Sequence, residues 1–182
     1  MIKRILAHSF SLLNVDYVKL DSRWNYKNVI SPYHRIYYIA AGSGEISHFD
    51  KRLQLEAGYL YIIPSFTLCD LQCESSLDQY FVQFFEESSD GISLFSNSRS
   101  IFKIEAQEVD LINFQRLISL NPGRGLNRSD DPKIYEKEAY YKEYKALNNQ
   151  YSSAQFLETQ GILLQMVSRF AIPEIVSKKL KQ

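Results

Sequence analysis

Across its first hundred or so residues the chain sets short aromatic and β-branched runs against turn residues at near-regular intervals. Residues 15–20, 36–40, 45–49, 52–55, 59–63, 67–73, 78–85 and 101–104 each read as a strand. Short strands at this spacing predict a sandwich or barrel. Gly42-Ser43-Gly44 and Asp50-Lys51 read as tight turns between them. Pro64 ends the ladder of 59–63 because it has no N–H to donate, and a new run starts at Thr67. Two strands joined across a proline corner make one wall of a pocket.

Beyond residue 105 the period changes. Over 108–120, Leu111, Phe114, Leu117 and Ile118 share one helical face, and Asn121-Pro122-Gly123 stops the helix. Asp131 is placed to cap a second helix over 132–147, with Pro132 in its first turn and Glu138 four residues before Lys142. Ser152-Ser153-Ala154-Gln155 is a capping box in sequence, opening a third helix that runs to about Ala171. That helix is apolar over most of its girth. Phe156, Leu163, Val167 and Phe170 form one stripe, and Leu157, Leu164 and Ala171 another; Gly161 permits close approach, and Ile162 and Met166 add area beyond both. One face covers the β-core, and the remainder calls for a second copy of the chain. Pro173 ends the helix, and the basic tail after it reads as a solvated linker.

Bulk properties exclude several classes. With 182 residues and 45% hydrophobic, the chain suits one compact domain with a helical appendage and not a disordered segment. A formal net charge of +0 gives no global pull toward nucleic acid or an anionic membrane. The N-terminal apolar run is broken by His8, Ser9, Ser11 and Asn14, which leaves no signal-peptide core, and no stretch is long enough to span a bilayer. A cytoplasmic protein is expected, and the triplet Asn127-Arg128-Ser129 then carries no weight as a glycosylation site. Cys69 and Cys73, four apart on one strand, would sit roughly 13 Å apart, beyond the ~7 Å that a disulfide tolerates. Two free thiols fit a reducing compartment.

Signatures of chemistry are sparse. No nucleophile elbow, phosphate loop or zinc spacing occurs, and His8, His34 and His48 are scattered. The pairs Glu86-Glu87 and Asp130-Asp131 are neighbours that point apart on a strand, so they read as surface charge. Neither a metal nor another cofactor is expected.

The order HRIYYIAAGSGEI, LQLEAGYLYIIPSFTLC, DQYFVQFF resembles the cupin sensor domain of AraC-type bacterial transcription regulators. The later FLETQGILLQMVSRFA resembles the helix that follows the barrel and mediates dimerisation in that family. The resemblance implies a mainly β fold with C-terminal α-helices, a cupin-like jelly-roll barrel over 1–105 and a helical dimerisation segment over 106–172. Residues 173–182 would then lead toward a helix-turn-helix portion that would begin where the chain ends at Gln182, so either a truncated chain or a solitary sensor is expected. Where metal-binding cupins carry histidines and a glutamate, this chain has Val29, Ser31, Arg35 and Cys69.

The function the resemblance implies is binding of a small organic effector, often a sugar, together with homodimerisation and no catalysis. DNA would be met only through the helix-turn-helix portion, and a membrane not at all. The effector pocket would be lined by Tyr38, Tyr61, Thr67, Cys69, Leu71, Phe81 and Gln83. Phe81 and Gln83 share one strand face, opposite Tyr80, Val82 and Phe84. The dimer interface would use Leu157, Gly161, Leu164 and Met166. Two other readings stand beside it. One is a metal-independent cupin enzyme, such as a sugar isomerase or epimerase, with His34 or a tyrosine as acid/base. The other is a purely structural dimerisation module with a filled barrel.

Overall fold

The structure is a computed structural model and describes residues 7–97, 99–126 and 129–171. The expected linker over 173–182 and the triplet at 127–129, apart from Ser129, lie outside them. Eight strands occur among the described residues: β1 (His8–Asp21), β2 (Asn25–Val29), β3 (His34–His48), β4 (Lys51–Glu56), β5 (Tyr59–Ile63), β6 (Cys69–Gln72), β7 (Ser76–Ser88) and β8 (Phe102–Glu105). Three α-helices follow: α1 (Glu108–Leu120), α2 (Glu138–Asn148) and α3 (Ser153–Ser168), with a 3-10 turn at Pro132–Glu136 before α2. The fold is a cupin-like jelly roll backed by helices.

All pairings are antiparallel. One layer runs β1-β7-β3-β5-β8, while β4, β6 and β2 build the other around the far half of β3. Strand β3 therefore belongs to both layers. Its first half pairs with β5 and β7, and its second half with β4 and β6. The expected turn at Gly42-Ser43-Gly44 is instead this change of layer within one strand. Gly42 has φ +76, and a Cβ there would lie 2.2 Å from the Ser76 carbonyl oxygen. Only glycine lets the strand bend against β7 at that point.

Alternation along the strands feeds two cores. Ile36, Leu60, Ile62, Val82 and Phe84 face α1 and α3, where they meet Phe114, Leu117, Leu163, Met166 and Phe170. The opposite face encloses Trp24, Val29, Tyr37, Ile39, Tyr61, Cys69, Leu71 and Phe81 inside the barrel. A third cluster, Leu13, Tyr33, Tyr135 and Tyr144, lies under α2 and the 3-10 turn. Leu13 reaches it because the register of β1 against β7 shifts between Leu12 and Asn14, re-aiming one side chain.

The second predicted helix is split. Asp131 accepts from Lys133 N at 2.9 Å and caps only the 3-10 turn; Lys137 is extended, and α2 starts after it. Ser152 caps α3, accepting from Gln155 N at 3.1 Å. The Gln155 side chain does not close the box but donates to Leu120 O at 2.8 Å, tying α3 to the end of α1. No helix among the described residues is long and apolar enough to cross a membrane.

Candidate functional site

The barrel interior is nearly filled. A cavity of about 20 Å³, room for one water, remains between Val18, Leu20, Trp24, Tyr37, Leu71, Gln79, Phe81 and Gln83. Leu126, Asp130, Pro132 and Tyr135 close its mouth, and Tyr26 donates to Asp130 Oδ1 at 2.6 Å beside them. Leu71, Phe81 and Gln83 of the expected pocket therefore share one chamber wall. Tyr61 and Cys69 lie in the same core, but the Tyr61 hydroxyl is committed: it donates to Gln54 O and accepts from Glu56 N, both at 2.8 Å. Thr67 donates to Arg99 O at 3.2 Å.

Tyr38 is a correction. It sits one residue out of phase with the chamber, on the face that packs against Tyr80 and Phe114, with ring centroids 6.0 and 6.4 Å away. Met166 is another: it is 3% exposed and packs under α3, whereas Leu157 (67%) and Leu164 (45%) stand outward, with open space at Gly161.

The residue that sequence reasoning left off the wall is Arg35. It is 1% exposed, and its register partner Gln83 and its neighbour two residues on, Tyr37, both line the cavity. Its Nη2 donates to Cys69 Sγ at 3.5 Å, while Nε and Nη1 have no partner. Asn14 Oδ1, Gln79 Oε1, Gln83 Oε1 and Tyr33 Oη are also buried without a hydrogen bond. Asn14 and Gln83 are register partners on the other edge of β7. The signal was a lone charge within the apolar run HRIYYIA. Of the four positions singled out by the resemblance, three gather, since Val29 pairs with Cys69 and Cys69 meets Arg35, while Ser31 Oγ donates to Glu136 Oε1. Burial pushes the Cys69 thiol above its usual range, and Arg35 only partly offsets this.

His34, the expected acid/base of the enzyme reading, faces the helix side. Its Nδ1 accepts from Ser65 N at 3.0 Å, so Nε2 carries the proton and donates to Glu86 Oε2 at 2.9 Å. His8 Nδ1 lies 2.8 Å from Glu86 Oε1 but off the line that a hydrogen bond needs. Burial raises the Glu86 carboxyl, yet bonds from His34, Ser93 and Leu94 N override it and hold it at about 2. A larger concavity, an open groove of about 530 Å³, lies outside the barrel between His48, Phe49, Lys51, Arg52 and Ile101.

No protein-family model matches the chain, and no curated protein matches it. Solved structures do. The EutQ protein of Clostridium difficile aligns with 40% of this chain at 15% identity and TM-score 0.36. A cupin-2 domain protein from Shewanella frigidimarina aligns with 45% of this chain and 71% of its own at 16% identity and TM-score 0.34. ToxT from Vibrio cholerae aligns with 95% of this chain at 9% identity and TM-score 0.45. The chain spans 56% of that EutQ and 61% of ToxT.

The matches also include a salicylate 1,2-dioxygenase from Pseudoaminobacter salicylatoxidans (12% identity, 45% of this chain and 29% of its own, TM-score 0.35). A predicted oxalate decarboxylase from Thermotoga maritima matches likewise (19% identity, 41% of this chain and 68% of its own, TM-score 0.35). The expectation that this chain is not an enzyme is thereby overturned as drawn. It was reasoned from missing metal ligands, and the frame itself does not separate sensing from catalysis.

Proposed function

We propose that this chain is the ligand-binding and dimerising domain of an AraC-type transcription regulator, acting in the cytoplasm through an attached DNA-binding domain. A small organic effector enters the barrel over 1–105, whose cavity of about 20 Å³ must widen to admit it, and the helical segment over 106–172 pairs two copies. The observation that carries the reading is the polar lining of the chamber. Gln79 and Gln83 leave buried acceptors open in the cavity wall, and Arg35 and Asn14, the register partners of Gln83 on either side, leave further buried groups open beside it. A core kept only for stability would be apolar there, because each unmet polar group costs about 1–3 kcal/mol. The ordered glycine, proline and aromatic motifs support the same reading.

The test is a thermal-shift screen of small metabolites, sugars included, followed by Phe81→Ala and Leu71→Trp in the chamber wall. A true effector should protect the wild type and lose at least tenfold in affinity for both variants. Protection that survives both changes would place binding outside the barrel and defeat the proposal.

A further inference from the structure

We infer that the barrel is built to hold a small carboxylate, gripped by Arg35. The inference rests on the proposal that the barrel is a ligand chamber and names the chemistry of the occupant. A guanidinium stays protonated at every pH a protein survives, so its burial demands an anion or a full set of acceptors. The chain shows what a full set looks like at Arg124, where main-chain oxygens of Leu12, Leu13 and Tyr144, Asn148 Oδ1 and the Tyr151 hydroxyl take up its donors. Arg35 has one weak sulfur acceptor and the Tyr37 hydroxyl beside it, with nothing on Nε or Nη1. Cys69 is no counter-ion, since burial keeps its thiol protonated. Glu136 feels the guanidinium, but its Oε1 accepts from Ser31 Oγ at 3.0 Å, and no ion pair with Arg35 forms among the described residues.

Charge selects the class, and the cavity of about 20 Å³ must open further to admit any member of it. No Lys or Arg lines the cavity itself, so Arg35, beside Tyr37 and Gln83, supplies the positive charge, and Asp130 is among the lining, so a monoanion fits better than a doubly charged phosphate. The planar pair of oxygens on a carboxylate matches guanidinium donors. The open amide oxygens of Gln79 and Gln83 would take a hydroxyl on the same molecule, and Phe81, Leu71 and Trp24 its carbon body. A small hydroxycarboxylate would meet the guanidinium with its carboxylate and one of the two amide oxygens with its single hydroxyl hydrogen.

The experiment uses the whole chain with acetate and glycolate as probes, acetamide and glycolamide as neutral matches, and chloride to hold ionic strength. Near saturation the two acids should raise the melting temperature of the wild type by about 5 °C or more, and the amides should do far less. Arg35→Met should abolish that response and itself melt higher than the wild type, because an uncompensated charge has been replaced by an apolar chain of similar length. Gln83→Glu should also melt higher and ignore the acids, since it places a carboxylate opposite Arg35 within the chain. Acids and amides acting alike would overturn the inference. So would an Arg35→Met variant that melts lower or still responds, the latter pointing to the Lys51 and Arg52 groove. If Arg35→Met does not fold, the wild-type comparison and Gln83→Glu decide alone. A neutral effector that protects wild type and Arg35→Met equally, and is lost in Phe81→Ala, would remove the carboxylate and leave the sensor proposal standing.

Discussion

Arg124 draws its partners from β1, α2 and the segment before α3, which makes it a clamp between the helices and the barrel. Its own carbonyl accepts from Val15 N at 3.0 Å and from Asn14 Nδ2 at 3.2 Å. Arg124→Met would strand several buried carbonyls, so a loss of about 3 kcal/mol is expected in urea denaturation. Glu86 gives a pH signature at the same scale. Its carboxyl is lowered from 4.5 to about 2 in the folded chain, so its contribution is complete above about pH 4.5 and is lost as pH falls toward 2. Wild type should lose denaturation midpoint over that window, and Glu86→Gln should be flatter there. Equal slopes would show that the bonds from His34 and Leu94 N do not hold the carboxylate.

At the scale of elements, β3 and α3 separate two kinds of constraint. Gly42 and Gly58 both have positive φ, but a Cβ at Gly58 meets nothing within 4 Å, whereas at Gly42 it strikes the Ser76 carbonyl. Gly58→Ala should therefore cost about 1 kcal/mol for backbone strain alone. Gly42→Ala should cost about 3 kcal/mol or more, because β3 and β7 must part. Comparing the two by thermal melting isolates the close approach from the dihedral. On α3, consecutive leucines do opposite things. Leu163 lies fully buried against Phe114 and Phe170, and Leu163→Ala should cost about 3 kcal/mol. Leu164→Ala, on the outward face, should stay within about 0.5 kcal/mol for the isolated chain.

For the whole molecule, α1 and α3 cover one face of the sheet and leave a stripe outward. Val109, Ile112, Phe156, Leu157 and Leu164 are exposed, and Arg116 and Glu158 bridge the two helices beside them. The proposed two-fold pairing would bury this stripe, with Gly161 letting the helices approach. Light scattering should find a dimer at micromolar concentration, and Leu157→Glu with Leu164→Glu should give a folded monomer. A wild type already monomeric would remove α3 from any interface. Met166→Glu is no probe of pairing, since it would disrupt the intrachain core.

Period and punctuation alone carried much of the architecture. The strand run ending at Pro64, the helices at 108–120 and from Ser153, and the shared face of Phe81 and Gln83 all follow from spacing, which local sterics enforce. Strand β2 was invisible: Asn25, Lys27 and Asn28 have no strand preference, and only pairing with β6 makes them one. The Gly42-Ser43-Gly44 bend read as a turn because the sequence names glycine but not the Ser76 carbonyl that demands it. Alternation says which residues share a face and not which face is enclosed, since Tyr80, Val82 and Phe84 are as apolar as the chamber side. Tyr38 was lost to that ambiguity, and Arg35 was missed because an open guanidinium exists only once the barrel has closed around it. Local geometry is written in neighbouring residues, whereas enclosure and unmet hydrogen bonds arise from contacts made far apart along the chain.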